Sequence, residues 1–256
     1  MSDKKELPIA VIDSGVGGIS VLRELIGAMP DERFIYLGDS KNAPYGTKSR
    51  ADVLEITKAN LESLKARGIK ALVIACNTAT SAAVRVLREE NPELIIVGIE
   101  PAVKPASMIC KNPRVLVMAT PLTLKEEKFL SLVERFAHTC EFISLPCGGL
   151  VELIETGEID SPEIESYLRN LFEPYFQQRI DAIVLGCTHY PHIKEVIDRL
   201  WGGRVAILDG GEGTARETRR RLCEAGLLRS GEGEIEILNS SESEKMIEIS
   251  KKLLFR

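Results

Sequence analysis

The sequence lacks the features that mark several common protein classes. It has no C-x-x-C pair and only three histidines (His138, His189 and His192), so a structural zinc site is not expected. No apolar stretch approaches the roughly 20 residues needed to span a bilayer. The N-terminal MSDKKELPIAVIDSG has too short an apolar run for a signal peptide. These absences predict a cytoplasmic protein with no membrane association. In that reducing setting Cys76, Cys110, Cys140, Cys147, Cys187 and Cys223 are expected as thiols rather than as a disulfide framework. Basic residues are in deficit, 33 Lys and Arg against 38 Asp and Glu, which argues against a nucleic-acid partner. The cluster Arg216, Arg219, Arg220 and Arg221 is not extended into a basic stripe and reads as a solvated helix face. Also missing are a Pro/Gly-rich linker, a G-x-G-x-x-G turn, a lysine-bearing phosphate loop and a recognisable context for a cofactor lysine.

What is present is strong alternation. Short apolar runs occur at PIAVID, RFIYLGD, KALVIAC, ELIIVGI, RVLVMAT, CEFISLP, DAIVLGC, RVAILDG and EIEILN. Several are apolar at consecutive positions, as strands covered on both faces require. Between them, amphipathic periodicity predicts helices over residues 19–29, 49–67, 79–90, 124–137, 162–177, 190–200 and 213–225. Ser161-Pro162 fits an N-cap with proline in the first turn, and Ser241-x-x-Glu244 fits a capping box for the last helix.

Strand alternating with helix predicts an α/β fold with mostly parallel sheets. Periodicity alone does not separate a closed barrel from open sheets. A duplication does: Lys70–Cys76 and Asp181–Cys187 align without a gap as polar-Ala-aliphatic-Val-aliphatic-small-Cys. Two related halves follow, residues 1–100 plus 210–256 as one α/β domain and 101–209 as the other, with crossovers near GIEPAV and LDGGEG.

Ligands of open α/β sheets sit beyond the carboxyl ends of the strands, and every polar signature here falls at such an end. In VIDSGVGG a strand-to-helix turn accounts for Gly15, Gly17 and Gly18 but not for Asp13, whose carboxylate can orient a base or hold a cation. GDSKNAPYGTKS is a long polar connection, a plain loop or a binding one. Cys110, Cys140 and Cys223 read as small buried hydrophobes, and Cys147 ends a strand without polar neighbours. Cys76 and Cys187 differ, each standing between an apolar strand and a predicted helix, followed by Asn77-Thr78 or Thr188-His189. A helix N-terminus stabilises a thiolate, and amides and hydroxyls nearby can bind a carboxylate. A cysteine protease needs one cysteine activated by a histidine. Two equivalent cysteines suit a reaction that is itself nearly symmetric, such as inversion at carbon by proton removal from one face and delivery to the other.

Along nearly the whole chain, IAVIDSGVGG, GDSKNAPYG, ACNTAT, GIEPAV, LVELIETG, LGCTHYP and LDGGEGTA resemble the glutamate racemase family, within the cofactor-independent superfamily that also holds aspartate racemases. The resemblance implies two pseudo-symmetric α/β domains with the active site in the cleft between them, and a homodimer. It implies Cys76 and Cys187 as the acid/base residues, with Asp13 assisting Cys76 and His189 assisting Cys187. Asp13-Ser14, Tyr45-Gly46, Asn77-Thr78 and Thr188-His189 match the family's substrate-binding dipeptides. A glutamate near the second thiol is matched by Glu155, with Glu152 the alternative. The implied reaction interconverts L- and D-glutamate without metal or other cofactor, for peptidoglycan synthesis; aspartate racemisation is the alternative. Departures from the family pattern are Cys147-Gly148-Gly149, Gly210 and His192. Some relatives carry an N-terminal extension associated with activation by a cell-wall precursor, a regulation not expected here.

Overall fold

The computed structural model describes residues 2–256. Its strands are β1 (Ile9–Asp13), β2 (Arg33–Gly38), β3 (Ala71–Ile74), β4 (Ile95–Gly98), β5 (Arg114–Ala119), β6 (Glu141–Pro146), β7 (Ala182–Leu185), β8 (Ala206–Asp209) and β9 (Glu234–Asn239). Each of the nine apolar runs supplies one of them. The helices are α1 (Ser2–Glu6), α2 (Ile19–Ala28), α3 (Arg50–Ala66), α4 (Asn77–Glu90), α5 (Val103–Ser107), α6 (Glu127–Phe136), α7 (Leu150–Glu155), α8 (Pro162–Phe172), α9 (Lys194–Trp201), α10 (Gly211–Glu224) and α11 (Glu244–Leu254).

The chain divides into two units, one taking the residues up to Glu100 together with Gly211–Arg256, the other Pro101–Gly210. The first holds a five-stranded sheet in the order β4-β3-β1-β2-β9, the second a four-stranded sheet in the order β6-β5-β7-β8. Every strand pairing in both is parallel. Inner strands β1, β3 and β7 bury all their residues, which is why their sequences are apolar without alternation. Each buried Val, Leu or Ile there contributes about 1.5–3 kcal/mol. Edge strand β9 alternates instead: Glu234 and Glu236 face Arg33 and Arg67 at 3.4 and 2.6 Å, and these charges discourage further strand addition. Among the described residues no helix is long and apolar enough to cross a membrane.

The polar residues that open the duplicated segments have parallel tasks at the amino ends of their strands. Lys70, wholly buried, forms an ion pair with Glu32 at 2.5 Å, though without an aligned hydrogen bond to that oxygen. It donates to the carbonyls of Lys5 and Leu227 at 2.6 and 3.1 Å. Burial pushes its pKa down, and Glu32 opposes that shift. Asp181 accepts the Arg114 amide at 2.8 Å, tying β7 to β5.

Several helix boundaries differ from the periodicity, each for a local reason. The helix expected over 162–177 ends at Phe172, where Pro174 enters a 3-10 turn over Glu173–Tyr175. The helix expected from residue 190 begins at Lys194, because Pro191 sits in a 3-10 turn spanning Tyr190–Ile193. Ser161 does cap α8, accepting from the Ile164 amide at 3.4 Å. The last helix is capped by Ser243 rather than Ser241, whose hydroxyl is engaged at 2.5 Å by Asn239 Oδ1. Helices α1, α5 and α7, of five or six residues, are too short to display a period. Arg221 is not on a solvated face, since it donates to the Ile96 carbonyl at 3.0 Å in a partly buried position. Cys110 and Cys223 are exposed, not the buried hydrophobes expected; only Cys140 of that trio is buried.

Candidate active site

In the first unit the polar signatures gather at the carboxyl edge of the sheet. The β1–β3 register pairs Ile12 with Ile74, and the Ala75 amide donates to the Ile12 carbonyl at 2.8 Å. That places Asp13 beside Ala75, one residue from Cys76. Cys76 is the N-cap of α4, and its sulfur accepts the Ala79 amide at 3.5 Å. Its thiol also lies 3.8 Å from Ser14 Oγ. A cysteine is a poor cap compared with serine or aspartate. Its place here has a chemical consequence, because an amide and the α4 dipole both favour the thiolate. Asn77 and Thr78 follow in the first turn, both buried, and among the described residues Asn77 Oδ1 has no hydrogen-bond partner. A buried acceptor left in that state is matched by a ligand that brings a donor.

Asp13 is 2% exposed, and its Oδ1 accepts the Gly15 amide at 3.1 Å. Gly18 answers a need for space. A Cβ on Gly18 would lie 2.6 Å from Asp13 Cβ and 3.0 Å from Ala75 Cβ, although Gly18 has an ordinary helical φ of −63°. Gly18→Ala therefore displaces Asp13. A loss of activity of about tenfold or more is expected from such a misplacement, with the fold kept. Gly27→Ala on the same helix is the control: nothing lies within 4 Å of its Cβ. It should raise stability by about 0.5–1 kcal/mol and leave rates unchanged. Melting curves and initial rates on both variants check the pair.

The PYG segment forms a 3-10 turn over Tyr45–Thr47. Tyr45 is 3% exposed, its ring in the same core cluster as Cys76 and Ala79. Its hydroxyl donates to Asp39 Oδ2 at 2.6 Å. Burial, and then the Asp39 carboxylate, raise the phenol's pKa far above its usual range. With the hydroxyl committed, the polar groups that Tyr45 and Gly46 leave open are main chain. Their amides, at the start of the turn, have no acceptor among the described residues.

In the second unit the Gly186 amide donates to the Met118 carbonyl at 2.7 Å, which fixes Cys187 just beyond β7. His189 is buried, its Nδ1 3.7 Å from Cys187 Sγ and its Nε2 3.0 Å from Glu155 Oε1. Glu155, at the end of α7, is thus the carboxylate that reaches the histidine; no such bond is made by Glu152. When Nε2 carries a proton for Glu155, Nδ1 is left to take one from the thiol. Thr188 is buried beside them, and the Tyr190 amide donates to the Cys187 carbonyl at 3.1 Å. Cys187 precedes a 3-10 turn, not an α-helix, so it lacks the N-cap position that Cys76 holds. The two thiols share a strand-end position but have different polar partners.

Cys147 is buried, its thiol donates to the Leu145 carbonyl at 3.2 Å, and burial pushes its pKa up to about 12. That keeps it an inert thiol at neutral pH. Among the described residues no group of three or more His, Cys, Asp or Glu is arranged to hold a metal. Sequence reasoning missed Asp39, Asn60 and Ser240, which form one hydrogen-bonded cluster with Tyr45. Asp39 lies inside a quoted motif, but Asn60 and Ser240 carry no local signal linking them to it.

The sequence profile described as Asp/Glu/Hydantoin racemase matches residues 9–218. The chain is 50% identical over 254 residues to the glutamate racemase of Clostridium botulinum (strain Alaska E43 / Type E3), covering 98% of each. Among solved structures it is similar to a glutamate racemase isoform of Bacillus anthracis, with TM-score 0.88, 29% identity, and coverage of 98% of this chain and 95% of that one. It is also similar to the glutamate racemase of Francisella tularensis in complex with D-glutamate, with TM-score 0.84, 28% identity, and coverage of 98% and 95%.

Proposed function

The chain belongs to the Asp/Glu/Hydantoin racemase family, and from that membership we propose that it interconverts L- and D-glutamate, without a cofactor, using Cys76 and Cys187 as two bases. Likeness along nearly its full length to glutamate racemases favours glutamate over aspartate. One observation carries the chemistry: each unit has a buried thiol beyond an inner parallel strand, and each thiol has its own proton-tuning partner.

In the L-to-D direction the Cys187 thiolate takes the α-proton and the Cys76 thiol delivers its own to the opposite face. The turnover leaves Cys187 as thiol and Cys76 as thiolate, which is the starting state for the reverse reaction. Asp13 assists Cys76, and His189, oriented by Glu155, assists Cys187. The amides of Tyr45 and Gly46 with the hydroxyls of Ser14, Thr78 and Thr188 suit the two substrate carboxylates. Asn77 Oδ1, buried without a partner, suits the substrate ammonium. A turnover of about 10 per second permits a barrier of about 16 kcal/mol. At about 1.4 kcal/mol per pKa unit, the bound carbon acid is then at most about 12 units weaker than the thiol. Free in water the gap is wider, so the hydrogen bonds to the carboxylate and the retained ammonium must stabilise the carbanion. The buried lysine, Lys70, is held by Glu32 and two carbonyls at the amino end of β3 and takes no part.

The product would serve peptidoglycan precursor synthesis in the cytoplasm, and the working form would be a homodimer. Circular dichroism tests the reading. L- and D-glutamate should converge on the racemate while aspartate keeps its rotation, and exhaustive chelation should change nothing. Faster loss of rotation with aspartate would move the chain to the alternative substrate. Activity that returns only on addition of pyridoxal phosphate or a divalent metal would refute the cofactor-free mechanism.

A further inference from the structure

Asp39 is a carboxylate with no exposed surface and, among the described residues, no Lys, Arg or His in ion-pair contact, an arrangement that costs free energy unless every lone pair is used. They are used by neutral donors from three places in the chain. Asn42 Nδ2 reaches both oxygens at 3.1 and 3.0 Å, and the Tyr45 hydroxyl reaches Oδ2 at 2.6 Å, both from its own loop. From α3, Asn60 Nδ2 reaches Oδ2 at 3.1 Å and the Tyr45 hydroxyl oxygen at 3.2 Å. From the connection between β9 and α11, the Ser240 hydroxyl donates to Oδ1 at 2.5 Å.

The same connection fastens the loop's main chain. The Lys41 amide donates to Ser240 Oγ at 3.1 Å, Asn239 Nδ2 to Ser40 Oγ at 2.8 Å, and the Ser240 amide to the Gly38 carbonyl at 3.0 Å. At the same end the Asp39 amide donates to the Asp13 carbonyl at 2.8 Å. Besides this hub, residues 39–49 are held by the buried Tyr45 ring, one 3-10 turn and bonds between near neighbours. Burial alone would raise the Asp39 pKa, but the bonds from Ser240, Tyr45, Asn60 and Asn42 together lower it, so the carboxylate stays charged.

We infer that Asp39 and Ser240 are positioning residues, holding the Tyr45–Gly46 turn beside Cys76 so that its amides meet the substrate, a role that rests on the glutamate-binding reading above. Neither side chain is assigned a proton in the reaction. Their loss should therefore weaken binding of substrate and transition state alike, which raises KM with little change in kcat.

The test uses the full chain with Ser240→Ala, Ser240→Thr and Asp39→Asn. Ser240→Ala removes one donor to the hub and the acceptor of the Lys41 amide; KM for glutamate should rise about fivefold and kcat stay within about twofold. Ser240→Thr keeps the hydroxyl and should restore KM. Asp39→Asn replaces one of the two accepting oxygens with an NH2 donor that faces groups already donating, and should raise KM about tenfold or more. Hydrogen–deuterium exchange of the amides of residues 39–48 supplies a readout independent of turnover, and should quicken in Ser240→Ala and Asp39→Asn but not in Ser240→Thr. If Asp39→Asn fails to fold, the part-exposed Ser240 pair decides. Unchanged KM in Ser240→Ala, or a fall in kcat at constant KM, would overturn the positioning role. A wild-type protein that leaves glutamate unracemised refutes the functional reading instead, and the exchange rates then settle whether the hub holds the turn.

Discussion

Cys76→Ser and Cys187→Ser should each cut racemisation in both directions by about a thousandfold or more, the scale expected when a positioned base is lost. Inversion needs a base on one face of Cα and an acid on the other, so removing either thiol stops a full turnover. A serine hydroxyl preserves size and hydrogen bonding, which keeps the strand end packed while removing an accessible anion. The variants should differ in a partial reaction. In D2O each should still exchange the α-hydrogen of one enantiomer, the one whose Cα–H meets the surviving cysteine, and the favoured enantiomer should swap between variants. By the family resemblance Cys76 should serve D-glutamate and Cys187 L-glutamate. Proton NMR of the α-signal follows the exchange. A single variant racemising at near the wild-type rate would return that cysteine to the role of a packed thiol. Exchange of the same enantiomer by both would refute the assignment of faces.

Most of the strands were legible because parallel strands buried on both faces leave a short uninterrupted apolar run, closed here by a small or polar residue. Asp13, Cys76 and Cys187 were legible for a related reason: a polar or reactive residue closing such a run has little packing purpose. The steric role of Gly18 was not legible. Its glycine answers the contact with Asp13 and Ala75, which depends on how α2 lies over the strand ends. Asn60 and Ser240 were hidden by sequence distance, since a hydrogen bond spanning 201 residues leaves no periodic trace. The boundaries of α8 and α9 were misjudged where proline inserts a 3-10 turn that keeps the apolar spacing for another few residues. That last point matters for chemistry, because the turn at Tyr190 separates Cys187 from the α9 N-terminus.

The asymmetry leads to the second large expected effect. Cys76 has an amide on its sulfur and a helix dipole behind it, whereas the polar partner described for Cys187 is His189 at 3.7 Å, backed by Glu155. His189→Asn should therefore lower kcat about a hundredfold, by slowing the proton transfer at Cys187. Because the enantiomers are equal in energy, kcat/KM must stay equal in the two directions whatever the substitution, so rates alone cannot locate the damaged step. The primary isotope effect can. With α-deuterated L-glutamate, abstraction at Cys187 becomes rate-limiting and the effect should rise. With α-deuterated D-glutamate, abstraction at Cys76 comes before the slow step and the effect should fall. Glu155→Gln keeps a hydrogen-bonding group at Nε2 but removes the charge that favours the imidazolium, and should show the same tilt with a loss of about tenfold. Equal isotope effects from both enantiomers in His189→Asn would mean that the imidazole orients the site without sharing the proton.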